Sequence, residues 1–242
     1  MRNLLLAVCC TSLSYAHAQQ DSSTYAFDQL SPRDFKAINR QRIRPCELIF
    51  PLSLVTYGVF SQANEDMRDF DNNIKNVVRR DPDFHTPIDN YLQYVPGLAV
   101  YGLNAIGIKG KHNFRDRTII YVMANLMMSA TVESIKSISK VPRPEGFGTN
   151  AFPSGHTATA FVGAEFLRQE YKDVSPWYGV AGYAAAASTG ILRMYNNMHW
   201  FRDVMAGAGI GILSTRVAYW LEPLIAKKIF HTKGDNLKIP AY

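Results

Sequence analysis

The stretch AGAGIGI, Ala206 to Ile212, offers seven residues with no charge, no side-chain hydrogen bond and no ring. Such a run suits a helix whose backbone must lie close to its neighbours, because small residues let helix axes approach. A second run, GVAGYAAAASTG from Gly179 to Gly190, reads the same way. Outward from these two, apolar segments cover 46–60, 91–108, 118–132, 156–167, 177–192 and 203–225. They lack the period-two alternation of a half-buried strand; small residues and 3.6-type spacing dominate. The expected fold is therefore all-α, a helical bundle of five to six core helices embedded in a membrane. A tightly packed soluble bundle is the alternative reading of the same residues.

The bulk numbers bound the partners. The chain has 242 residues, of which 47% are apolar and 19% charged, too apolar for a disordered chain. Its mean hydropathy of −0.12 is low for a chain that lies mostly in lipid. A net charge of +6 favours anionic partners such as phosphate esters or acidic lipid surfaces. The basic residues are scattered and form no stripe with aromatic rings, which argues against nucleic acid.

The N-terminus reads as a secretory signal over residues 1–18. Arg2 supplies the positive start, Leu4 to Leu13 the apolar centre, and Ala16-His17-Ala18 a small-x-small cleavage site. A retained anchor helix is the alternative. Loss of Cys9 and Cys10 with the signal would leave only Cys46, so no intramolecular disulfide is expected. Residues 19–45 form a polar segment in which Ser31 and Pro32 mark a helix start. Residues 61–90 are charged, with DPDFHTP as a turn-rich connector. Residues 226–242 form a basic tail.

Segments 91–108 and 174–192 run 18 and 19 positions without a formal charge, near spanning length. The other segments are shorter. With an outer mature N-terminus, and with 46–60 too short to cross, five crossings follow between 91 and 225. They place KGKHNFRDR (109–117), Arg168, Lys172 and the tail lysines inside, as the positive-inside rule requires. The loops after 132 and 192 then face outward. Residues 46–60 are accordingly expected to lie along the interface or to be re-entrant.

Three pieces carry chemistry. In KSISKVPRP, Lys136 and Arg143 lie seven positions apart, and Pro142 forces the chain out of the helix between them. In Pro153-Ser154-Gly155-His156, the serine can cap a helix whose free N–H groups form a ready anion site. A histidine in that first turn can hold a proton over a bound oxyanion. In LRMYNNMHWFRDV, Arg193 precedes His199, and Asp203 follows it by four, the spacing of neighbours on one helix face. A carboxylate there can hold one imidazole nitrogen and leave the other as a nucleophile. Taken singly, each piece also reads as a basic helix end, a capped helix or a surface His–Asp pair. His85, His112 and His231 read as solvated loop or tail residues, and His17 leaves with the signal.

In the order K-R-P, P-S-G-H, R-H-D, the chain resembles the type 2 phosphatidic acid phosphatase superfamily, with its blocks KxxxxxxRP, PSGH and SRxxxxxHxxxD. The resemblance covers about 118 to 225, and the family domain is expected over 46–225. It implies a helical bundle and a metal-free phosphatase, needing no cofactor, that works through a phosphohistidine. His199 would be the nucleophile, Asp203 its partner, and His156 the donor to the leaving group. Lys136, Arg143 and Arg193 would hold the phosphoryl oxygens, with Ser154 and Gly155 helping. The implied substrate is a phosphorylated lipid at the outer, periplasmic face of the inner membrane: undecaprenyl diphosphate, phosphatidylglycerophosphate or a lipid A phosphate. A soluble periplasmic acid phosphatase, a non-catalytic membrane phosphate-binding protein and a vanadium haloperoxidase are the alternatives. Two departures stand out. Leu192 replaces the serine that usually opens the third block, and only eight residues separate Pro144 from Pro153. The short loop speaks for an open mouth.

Overall fold

In the computed structural model, residues 45–79 and 85–230 are described. The expected signal, the polar segment with its Ser31–Pro32 helix start, and the tail beyond 230 lie outside the described residues. Among the described residues there are eight helices and no strand: α1 (Pro45–Ala63), α2 (Glu65–Val78), α3 (Ile88–Leu92), α4 (Val95–Ala105), α5 (Phe114–Ser139), α6 (Gly155–Tyr171), α7 (Pro176–Tyr195) and α8 (Phe201–Phe230). The all-α expectation holds.

α5, α6 and α7 each start where a short polar side chain meets free N–H groups. Asn113 accepts from the Asp116 amide at the start of α5. Ser154 caps α6 by accepting from Thr157, and Ser175 caps α7 with Pro176 in the first turn. α5 ends in a left-handed turn at Lys140, with φ of 47°, before Pro142.

Helix α6 is the axis of the bundle, and α4, α5, α7 and α8 pack around it. Its inward side supplies Ala158, Val162, Phe166 and Tyr171 to a core with Val100 of α4, Ile120, Ala124, Met128 and Val132 of α5, and Ile210 and Ala218 of α8. The AGAGIGI run explains how α8 joins two partners at once. A methyl group on Gly207 would lie 2.5 Å from the Ser154 carbonyl oxygen, and one on Gly211 would strike the Ala158 carbonyl. Gly209 faces the other way, where its methyl would meet the Pro51 carbonyl of α1 at 2.5 Å. Spacing of four puts Gly207 and Gly211 on one face toward α6, while Gly209 admits α1.

Three described helices are long and apolar enough to cross a membrane: Cys46–Ala63, Phe114–Ser139 and Phe201–Pro223. In the first two, only 22% of the apolar window is buried. Leu126, Val122, Phe60 and Phe50 are among the large apolar side chains left exposed. This is the distribution of a helix set in lipid rather than in water.

The span assignment differs from the sequence expectation in three ways. Residues 46–60 belong to a 19-residue helix that continues to Ala63 and reaches spanning length, so the premise that they are too short to cross is corrected. The 91–108 segment is broken: α3 ends at Leu92, and α4 begins at Val95 with Pro96 in its first turn. α4 is only 11 residues long. The 118–132 segment is the middle of a 26-residue helix, because Arg115, Arg117, Glu133 and Lys136 ride on its ends. Within the expected connector 61–90, α2 is a 14-residue amphipathic helix capped by Asn64.

The end of α6 remote from Ser154 carries buried charge. Glu165 receives Arg168 at 2.7 Å, Arg216 at 2.9 Å and the Tyr183 hydroxyl. Glu170 receives Tyr219 at 2.7 Å and binds His112 Nδ1 at 2.6 Å. His112 is therefore no solvated loop residue; it ties the turn before α5 to α6.

Candidate active site

The three sequence blocks meet at the Ser154 end of α6. The backbone binds them first: the Ser154 amide donates to the Asp203 carbonyl at 3.0 Å, and the Ala151 amide donates to the Val141 carbonyl at 3.0 Å. Trp200 Nε1 donates to the Pro142 carbonyl at 3.0 Å. The second block is thereby fastened to both the first and the third.

His199 is buried, in the turn between α7 and α8. Its Nδ1 lies 2.8 Å from the Ala151 carbonyl oxygen. A carbonyl can only accept, so Nδ1 carries the hydrogen, and a neutral ring then has a bare lone pair on Nε2. Asp203 Oδ2 stands farther from Nδ1, at 3.6 Å, and accepts instead from the Trp200 amide at 2.8 Å. Asp203 thus stands beside His199 as expected, but the two do not share a helix face. Only Asp203 is helical, and the tautomer is held by a backbone carbonyl that no side-chain motif encodes. The carboxylate remains close enough to favour positive charge on the ring. Burial nevertheless holds the imidazole below its ordinary value, with the Arg193 and Arg143 charges adding to burial and Asp203 opposing it.

The cations converge. Arg143 lies beside Met198, with Nη1 3.9 Å from its sulfur, and is steadied by Asn150 at 2.9 Å from Nε. Lys136 reaches the start of α6: a methyl on Gly155 would lie 3.5 Å from its Nζ. Arg193 is buried and donates to Asp89 at 2.7 Å, while its Nε is buried without a partner. Ser154 is fully buried and spends its hydroxyl on the cap, 2.9 Å from the Thr157 hydroxyl. His156 sits in the first turn with Nε2 2.9 Å from Asn90 Oδ1. Arg193, Asp89, His199 and Lys136 are the charged or titratable groups that bear on it.

Asp89 and Asn90 were not legible as site residues. They lie in the polar PIDN stretch with no motif spacing, and only the fold brings them to Arg193 and His156. The connector between Pro144 and Pro153 forms a tight turn, with Gly146 donating to the Arg143 carbonyl at 3.0 Å, and its residues 145–150 lie at the surface.

Two histidines and three cations lie around one helix start, a set of groups whose charge and hydrogen-bonding suit a tetrahedral oxyanion. Residues 117–226 match a family model described as PAP2 superfamily. Over these residues the chain is similar to the PAP2 superfamily. The PAP2 match contains all eight residues that the three blocks singled out. A lipid A 1-phosphatase of Porphyromonas gingivalis is 42% identical over 157 residues, covering 64% of this chain and 35% of that protein. A bacitracin transport permease protein, BcrC, of Bacillus licheniformis is 32% identical over 77 residues, covering 32% of this chain and 36% of that protein. The chain thus spans about a third of the length of these curated relatives. Two solved structures are similar. The Aquifex aeolicus LpxE structure has a TM-score of 0.47 and 21% identity, covering 61% of this chain and 93% of that one. A transmembrane PAP2-type phosphatidylglycerolphosphate phosphatase from Bacillus subtilis has a TM-score of 0.48 and 18% identity, covering 75% of this chain and 99% of that one.

Proposed function

We propose that this chain is a membrane phosphatase that hydrolyses a lipid phosphate through a phosphohistidine, with the 1-phosphate of lipid A as its substrate class. The observation that carries the reading is His199: a buried, neutral imidazole whose Nδ1 is tied to a carbonyl, leaving Nε2 free among arginines. Phosphoryl transfer spreads charge over three oxygens, so positioning and electrostatics do most of the work. Lys136, Arg143 and Arg193 take those oxygens, with the unpartnered Nε of Arg193 and the open amides at Gly155 as further donors. His199 Nε2 attacks phosphorus, His156 gives its proton to the departing oxygen, and Asp203 stabilises the charge that the phosphorylated ring acquires. Water then cleaves the phosphorus–nitrogen bond, with His156 as base.

The lipid assignment rests on the spanning helices and on the name of the relative that is 42% identical. The family domain is taken to extend through α1, since α1 packs along α8 beside the site. Lys109, Lys111 and Lys172 lie in the turns at the opposite end of the bundle, which on the positive-inside rule supports an outward-facing site. The test is phosphate release from lipid A by the full chain in detergent, with chelator present. Release that survives chelation and disappears in His199→Asn supports the reading. Undiminished release by His199→Asn overturns it.

A further inference from the structure

Asp89 and Asn90 lie outside all three sequence blocks and outside the 117–226 match, yet they touch two of the groups to which the mechanism assigns work. They are adjacent residues of α3, a helix of five residues. Asp89 is 1% exposed and receives Arg193 Nη1 at 2.7 Å on Oδ2 and Asn196 Nδ2 at 3.1 Å on Oδ1. Asn196 closes the frame on the backbone of Thr86: it accepts from the Thr86 amide at 3.1 Å and donates to the Thr86 carbonyl at 2.8 Å. α3 is thus anchored to the end of α7 by three hydrogen bonds from one asparagine. Its next residue, Asn90, meets His156 Nε2 at 2.9 Å.

We infer that α3 is a positioning element: Asp89 sets Arg193, Asn90 sets His156, and one turn of chain fixes the phosphoryl clamp and the proton donor relative to each other. The inference rests on the phosphatase reading for its kinetic consequences, but not for its geometry. Asp89 engages Arg193 through Nη1 and leaves Nε without a partner among the described residues. Asn90 Oδ1 accepts from Nε2–H, which selects one tautomer of His156 and makes Nδ1 the working atom: it takes up the proton of the bound phosphate monoester and passes it to the departing oxygen. Neither residue needs to touch substrate. An ordinary core ion pair would explain Asp89, but not why the residue beside it holds the second histidine.

The experiment uses the full chain in detergent with ¹⁵N-labelled histidine. The His156 signals are assigned by their absence in His156→Gln. Wild type shows a neutral His156 protonated on Nε2; Asn90→Ala shifts the ring toward the other tautomer, and Asn90→Asp retains the wild-type form. In phosphate release from lipid A, Asn90→Ala lowers kcat about 10- to 100-fold, the order expected for a misplaced catalytic group, and leaves KM within about twofold. Asn90→Asp recovers most of that loss, while Asp89→Asn raises KM because the clamp is displaced. An Asn90→Ala protein with wild-type tautomer and wild-type kcat overturns the inference. A shifted tautomer in a protein that releases no phosphate in any form keeps α3 as the positioning element and refutes the phosphatase reading instead.

Discussion

The two ends of α6 make opposite use of the same kinds of side chain. At Glu165 and Glu170, about 14 and 21 Å along the axis from His156, each carboxylate is filled by cations and hydroxyls. At Ser154 the cations are underused. Lys136 has only Glu133 at 3.4 Å, a side chain that is 72% exposed, and Arg143 has Glu145 at 3.5 Å. Arg193 keeps a buried Nε with no partner. A buried charge is stable only when paired, so the two filled carboxylates are structure, while Lys136 and Arg143, which face partly or largely exposed glutamates, keep their charge available to a ligand.

The largest expected effect lies on the reactive end. His199→Asn lowers phosphate release by at least about 1000-fold, since the covalent route is lost, while thermal unfolding in detergent stays within a degree or two of wild type. Next is Arg193→Lys, which keeps the charge but not the planar fork. Turnover falls about 100-fold, and activity remaining within threefold of wild type would show that the clamp does not depend on the guanidinium. The remote end answers in a different currency. Glu165→Gln strands Arg168 and Arg216 and destabilises the bundle by about 3 kcal/mol, read as a lowered unfolding midpoint, while kcat/KM per folded molecule stays within about twofold. If that variant unfolds normally and loses turnover, the contrast between the ends is broken.

The smallest effect is on pH dependence. The His199 imidazole sits below its ordinary value, and its neutral form is the nucleophile, so kcat/KM rises with pH along an acid limb that lies below the usual histidine range. Asp203 pulls that value up. Asp203→Asn therefore moves the limb to lower pH, even though the rate itself falls. A limb that moves to higher pH in this variant contradicts the assigned electrostatics.

Sequence reasoning read the helices where small residues, caps and prolines act locally. Ser154 caps α6 and Pro142 ends the run after α5, because both effects depend on a few neighbouring backbone groups. The three blocks were legible because each carries its charged residues within one short segment. What escaped depends on distant chain: the Ala151 carbonyl that fixes His199, the Glu170 partner of His112, and the Asp89–Asn90 turn that reaches Arg193 and His156. α1 outruns its apolar run for a different reason. That run stops at position 60, although Ser61, Gln62 and Ala63 still belong to the helix, and Ser61 spends its hydroxyl on Asp71 of α2.

The bare hydrogen of Gly207 has one more consequence. It sits against the carbonyl of Ser154, so the helix that begins just after His199 lies directly on the residue that leads into His156. Alanine at this position is a wedge one methyl thick, driven between the second and third blocks. It would open the gap across which a phosphorus atom must be shared, leaving every reactive group in place and the reaction out of reach.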